Sequence, residues 1–265
     1  MIGTRPEIVR VAAIVRLLGP QARLINTRQH GDEMLSGVFL AAARLPEPKS
    51  LSGICGQPRH VQIGTMLDRL GSMFAERSPA AIVVQGDTNT VCAAAQARNY
   101  SRVPVVHVEV GLRSFDRAMP GEIDRCDTDL HCAPTERAVV NLRRDGVPPG
   151  KIALTGNTVV EATVDMLPDH AAAREIFAGL GVEPCHYVLA TIHRPENTDD
   201  PQRLRTTLDE LGKLGLEVLL PTIGELGRKL ISDEGLSERL AAIRCPFGDG
   251  KASERIVTLL QAYLH

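Results

Sequence analysis

The chain has no tryptophan, and aromatic residues make up 3% of it, so Ala, Val and Leu must do most of the packing. Its six cysteines are Cys55, Cys92, Cys126, Cys132, Cys185 and Cys245, and no two of them form a Cys-x-x-Cys pair. Cys126 and Cys132 are too isolated for a metal knuckle. Buried free thiols in a reducing cytoplasm are the reading that remains. No apolar run reaches the roughly 18 residues of a membrane span, and no basic-then-apolar leader is visible. An excess of one charge is also lacking. Thirty Lys and Arg against 32 Asp and Glu leave a net charge of −2. That balance gives no argument for nucleic acid or an anionic membrane as partner.

What is present is an ordinary globular composition, 43% hydrophobic and 23% charged over 265 residues. That is enough chain for one large domain or two small ones. Apolar runs alternate with helical patterns. Ala22 to Asn26, Ala80 to Val84, Val103 to Val108 and Lys151 to Leu154 read as strands. Tyr187 to Ile192 and Glu217 to Leu220 form a later pair around a helix from about Pro201 to Leu214. An Ala-rich helix is expected over Asn89 to Tyr100, and further helices over Glu225 to Ile243 and Ala252 to Tyr263. Continuous apolar strands separated by helices indicate a parallel sheet covered on both faces. Ligands bind such sheets beyond the carboxyl ends of the strands, where this chain places its polar clusters. A domain break is expected near Leu167 to Ala173, dividing residues 1–168 from residues 169–265.

The polar clusters are Gly3-Thr4-Arg5-Pro6-Glu7, Gln29-His30, Gln85-Gly86-Asp87-Thr88, His107-Val108-Glu109-Val110-Gly111-Leu112-Arg113-Ser114, Thr155-Gly156-Asn157-Thr158 and His193-Arg194-Pro195-Glu196-Asn197. In this order and spacing the chain closely resembles the non-hydrolysing UDP-N-acetylglucosamine 2-epimerases. The resemblance runs from residue 3 to about residue 221 and resumes at Gly248-Asp249-Gly250-Lys251-Ala252. It implies a GT-B-like α/β fold of two Rossmann-like domains with parallel sheets, the second incomplete in this chain but carrying the closing helix. It also implies a cytoplasmic homodimer that interconverts UDP-GlcNAc and UDP-ManNAc for surface polysaccharides. Such enzymes expel UDP across C1–C2 and add it back with the proton on the other face. The route needs carboxylates near C2 and cations on the departing diphosphate. It needs no metal and no nicotinamide cofactor.

Residue by residue, the resemblance makes Asp87 and Glu109 acid/base candidates at the sugar. For Asp87 the alternative is a helix N-cap. For Glu109 it is a buried ion pair with Arg113. His193 matches the histidine of the family's Thr-x-His-Arg-x-Glu motif, near the phosphates or the sugar; a purely structural histidine is the alternative. Arg5 and Arg10 would contact the phosphates, with Gly3 and Thr4 allowing close backbone approach at the first helix start. An ordinary solvated helix face is the alternative for the two arginines. Arg113 and Arg125 are further substrate-binding candidates. Gln29 and His30 match a Gln-His motif that borders a second, regulatory site in relatives.

Four departures accompany the resemblance. Where the family has Pro-Glu-Glu, this chain reads Pro120-Gly121-Glu122, so Glu122 is a displaced substitute for a lost carboxylate. If Gly121 takes that place, the loss of a positioned acid/base should cost about 10² to 10⁴ in rate. The segment Arg125 to Leu130 is short of a helix. The family has a whole strand before its Gly-Thr-Arg-Pro-Glu, and losing it should be severe. The stretch from Pro221 to Gly248 lacks the family's Thr-Asp-Ser-Gly-Gly segment. Part of a longer chain, a degraded copy and a shortened binding form all fit; the first is preferred, because functional trimming falls in surface loops. Competing functions are a hydrolysing epimerase that releases ManNAc and UDP, an inactive nucleotide-sugar-binding paralogue and, more distantly, glycosyl transfer.

Overall fold

A computed structural model describes residues 1–30, 33–113, 128–183, 186–189, 200–213, 217–219, 245 and 247–264. The chain divides into two units, Met1–Met166 with Cys245–His265, and Leu167–Arg244.

The first unit opens with α1 (Arg5–Leu18), followed by β1 (Ile25–Asn26), α2 (Glu33–Ala42), β2 (Lys49–Ser50) and α3 (Arg59–Glu76). Then come β3 (Ile82–Gln85), α4 (Asn89–Ser101), β4 (Val105–Val108), β5 (Leu130–Ala133), α5 (Glu136–Arg144), β6 (Ile152–Leu154) and α6 (Thr158–Met166). Strands β3, β4, β5 and β6 form one parallel sheet in that order, and β1 pairs with β2 in a second. All four residues of β4 and of β5 are buried, which explains why β4 reads as a continuous apolar run. Helix α4 is buried along most of its length, and its alanines let it approach both β3 and α3 closely.

Met1 and Ile2 bridge the two sheets. Ile2 N–H donates to Ile25 O (2.9 Å), Thr27 N–H donates to Ile2 O (2.8 Å), and the Met1 amino group donates to Val83 O (2.7 Å). Beside them lies a cavity of about 350 Å³, walled in part by Ile25, Phe74, Ile82 and Leu260.

The second unit contains α7 (His170–Leu180), β7 (Tyr187–Leu189), α8 (Pro201–Gly212) and β8 (Glu217–Leu219), with β7 and β8 parallel. Asp169 and Asp200 cap α7 and α8, each accepting two backbone N–H bonds.

The last helix, α9 (Ala252–Leu264), differs from the expectation of sequence order, which put it with residues 169–265. It belongs to the first unit. Ile256, Val257 and Leu260 are buried in one cluster with Ile14, Val106, Val108 and Leu130. Ser253 N–H donates to Glu161 Oε1 (2.9 Å), and Arg255 Nη1 donates to Thr155 O (3.1 Å). The helix therefore closes the core of the first unit.

Candidate functional site

The carboxyl ends of β3 and β4 carry Gln85 and Glu109, and the loop after β6 carries Asn157. These residues meet. Glu109 Oε2 accepts from Arg10 Nη1 (2.9 Å) and Gln85 Nε2 (2.6 Å), and Glu109 Oε1 accepts from Asn157 Nδ2 (3.1 Å). Its side chain is 7% exposed. Burial raises the Glu109 pKa above the usual carboxylate range, and the nearby charge of Asp87 adds to this. Arg10, Asn157 and Gln85 pull the other way without reversing it. A buried carboxyl with its pKa moved toward neutrality, yet held by one cation and two amides, is suited to taking up and returning a proton.

The ion pair that sequence proximity suggested for Glu109 forms with a different arginine. Glu109 pairs with Arg10 of α1, whereas Arg113 pairs with Asp145 after α5 and also donates to Leu112 O (2.8 Å). The backbone explains this. Glu109 has φ 59° and Gly111 has φ 96°, so the chain turns through left-handed conformations and no helical i, i+4 neighbour relation exists. At Gly111 an added Cβ would lie 2.7 Å from Ala138 O, which fixes glycine there twice over.

Asp87 is exposed and is not the cap of α4. That role falls to Thr88, whose Oγ1 accepts from Val91 N–H (3.3 Å). Gly86, at φ 80°, starts the turn; its N–H donates to Val108 O (3.1 Å), and its carbonyl accepts from His107 Nε2 (2.6 Å). The Asp87 carboxylate has no hydrogen-bond partner among the described residues.

The start of α1 serves a different purpose from the open anion site expected of it. The N–H groups of Gly3 and Thr4 both donate to Glu7 Oε2, each at 2.7 Å. Gly3 is required by side-chain crowding: a Cβ there would lie 2.1 Å from Thr90 Oγ1 and 2.4 Å from Thr27 Oγ1. Arg5 is exposed at the first position of α1, with no side-chain partner among the described residues. Gln29 caps α4 from outside, its Oε1 accepting from Thr90 N–H (3.2 Å). His30 is exposed and lines a separate surface cavity of about 490 Å³ with Arg28 and Glu47. His193, Glu122, Arg125 and Gly121 lie outside the described residues.

Two residues of the Glu109 cluster, Gln85 and Asn157, and Glu7 at the start of α1 carry no role in the motif assignments. Each sits inside a quoted motif. For Gln85 the signal was an amide at the end of an otherwise aliphatic strand, where a buried polar group needs a partner.

His107, beneath this cluster, adds a pH dependence. It is 1% exposed, with Nδ1 unpartnered among the described residues. Burial lowers its pKa from 6.5 to about 4. Between those values the unfolded chain binds the proton and the folded chain does not. Stability from this group is complete above pH 6.5 and falls by about 3 kcal/mol as the pH drops to 4. Urea unfolding at several pH values should show this slope in the wild type and a shallower one in His107→Gln.

A family model described as UDP-N-acetylglucosamine 2-epimerase matches residues 18–230. A Methanocaldococcus jannaschii protein named UDP-N-acetylglucosamine 2-epimerase is 39% identical over 219 residues, covering 79% of this chain and 60% of its own length. A Pseudomonas aeruginosa protein named UDP-2,3-diacetamido-2,3-dideoxy-D-glucuronate 2-epimerase is 31% identical over 230 residues, covering 82% of this chain and 63% of its own length. The chain thus spans less than two thirds of either relative. Among solved structures, that of M. jannaschii UDP-GlcNAc 2-epimerase in complex with UDP-GlcNAc and UDP matches with a TM-score of 0.75 and 27% identity, over 98% of both chains. The fold is accordingly α/β and GT-B-like, with parallel sheets.

Proposed function

Because this chain belongs to the UDP-N-acetylglucosamine 2-epimerase family, we propose that it interconverts UDP-GlcNAc and UDP-ManNAc by the non-hydrolysing route. The observation that carries the reading is the Glu109 cluster, a buried carboxyl of raised pKa beside the Arg10 guanidinium and near Asp87.

In this mechanism one carboxylate takes the C2 proton. The C–H electrons form the C1=C2 double bond, and the C1–O bond breaks with its pair leaving on UDP. The second carboxyl group protonates C2 from the other face as UDP adds back to C1. Asp87 and Glu109 are the pair, with Glu122 a substitute where the family carries a further glutamate. Arg5 and Arg10 hold the diphosphate as its charge develops. His193 is assigned through its motif to the diphosphate or the reacting sugar, and Arg113 and Arg125 to substrate binding. The route is redox-neutral, so it calls for no nicotinamide, and the arginines supply the positive charge a metal would otherwise bring. The solved M. jannaschii relative, bound to UDP-GlcNAc and UDP, supports this substrate class. A cytoplasmic homodimer is part of the same reading and is checked by mass in solution.

Chromatography of UDP-GlcNAc incubated with the protein tests the reading. UDP-ManNAc at constant total UDP-sugar is the expected result. Free UDP rising in step with ManNAc would replace it with hydrolysis. Binding without any product would leave a nucleotide-sugar-binding protein.

A further inference from the structure

We propose that Glu7 is a positioning residue that clamps the start of α1 to the turn bearing Asp87. The proposal rests on Asp87 acting as the acid or base, as argued above.

Glutamate at the third position of a helix commonly reaches back to its own N-cap N–H, and there it stays near solvent. Glu7 does more. It is 1% exposed. Its Oε2 accepts from Gly3 N–H (2.7 Å), Thr4 N–H (2.7 Å) and Thr4 Oγ1 (2.9 Å). Its Oε1 accepts from Thr88 Oγ1 (2.7 Å), 81 residues along the chain. Oε2 alone satisfies the cap. The second oxygen joins two motifs distant in sequence, and no arginine or lysine pairs with the carboxylate among the described residues. Burying an unpaired carboxylate is costly. Its pKa is raised by desolvation, against the pull of these four bonds.

The bond to Thr88 has a defined direction. Thr88 Oγ1 accepts from Val91 N–H (3.3 Å), so its proton goes to Glu7. On the other side of Asp87, Gly86 is fixed to β4 through Val108 O and His107 Nε2. Asp87 is therefore held between two anchored neighbours, while its own carboxylate has no hydrogen-bond partner among the described residues. One anchor is the sheet; the other is Glu7, on the helix that also carries Arg5 and Arg10. The clamp sets the carboxylate of Asp87 relative to the cations of α1.

Three variants test this. In Glu7→Gln the amide oxygen can take the three α1 donors and the NH₂ can donate to Thr88, so the clamp survives without charge. Thr88→Val cuts the link together with the α4 cap and leaves the three α1 bonds. Glu7→Ala removes everything. With UDP-GlcNAc as probe, kcat of Glu7→Gln should stay within ~3-fold of wild type. The kcat of Thr88→Val should fall by about 10²-fold, with KM little changed, as expected for a misplaced group that still permits binding. Wild-type kcat in folded Thr88→Val, or a fall in Glu7→Gln as deep as in Glu7→Ala, overturns the proposal. Amide hydrogen exchange at Thr4 and Val91 reads the clamp without turnover. Protection should be lost in Glu7→Ala and kept in Glu7→Gln. If the wild type shows no turnover, the proposed function fails; unchanged protection in Glu7→Ala then overturns the clamp independently.

Discussion

Glu109→Gln should lower turnover of UDP-GlcNAc by about 10² to 10⁴, the range for loss of a positioned acid or base. The substitution keeps the shape of the side chain and removes its proton chemistry. It also breaks a donor pattern. Arg10, Gln85 and Asn157 all point N–H groups at this carboxylate. A glutamine there can accept on one atom only, so its NH₂ must face a donor. Leaving buried donors unmet costs about 1 to 3 kcal/mol. Thermal unfolding measured beside the steady-state rate separates the two effects. The account expects a modest loss of stability and a far larger loss of rate.

The second large effect is structural. Gly3→Ala should destabilise the fold by about 3 kcal/mol, at the upper end for overpacking. The added methyl would meet the Thr27–Thr90 pair, whose hydroxyls are hydrogen-bonded at 2.7 Å. Neither can retreat easily: Thr27 is 0% exposed after β1, and Thr90 is 0% exposed in the first turn of α4. A lower urea midpoint at unchanged slope is the expected result. Thr90→Ala in the Gly3→Ala background should recover part of it. An unchanged midpoint would mean that this glycine serves the ligand rather than the packing.

The elements legible in the sequence were those whose burial leaves a composition signal. Strands β3 and β4 are aliphatic runs because helices cover both faces. Helices α4, α8 and α9 have clear patterns, two of them with Thr88 or Asp200 as cap. Strand β5 (Leu130–Ala133) is short and carries His131 and Cys132, so it leaves no aliphatic run in the sequence. Both are buried: His131 contacts Thr128 Oγ1 at 2.7 Å, and burial pushes the Cys132 thiol up to about 12. Helix α3 buries Met66, Leu70, Met73 and Phe74 on one face, a helical spacing diluted by the polar residues between them.

The site divided along similar lines. Motifs nominated Asp87 and Glu109, and residue type alone justified a carboxyl at a strand end. The partners were not legible, since they are set by backbone turns and distant loops. Arg113 is four residues from Glu109 yet turns to Asp145, and Arg10 comes from a helix about 100 residues earlier. Thr88 rather than Asp87 caps α4, following a left-handed Gly86. Glu7 was visible only as part of a motif, and its bond to Thr88 needed the tertiary structure.

Proton NMR of UDP-GlcNAc in D₂O with this protein tests the central claim most directly. Elimination and re-addition must replace the C2 proton with deuterium. The account predicts exchange in both UDP-GlcNAc and UDP-ManNAc, slowed by about 10² to 10⁴ in Glu109→Gln. Folded wild-type protein at high concentration that binds the nucleotide sugar and leaves the C2 proton in place would contradict it.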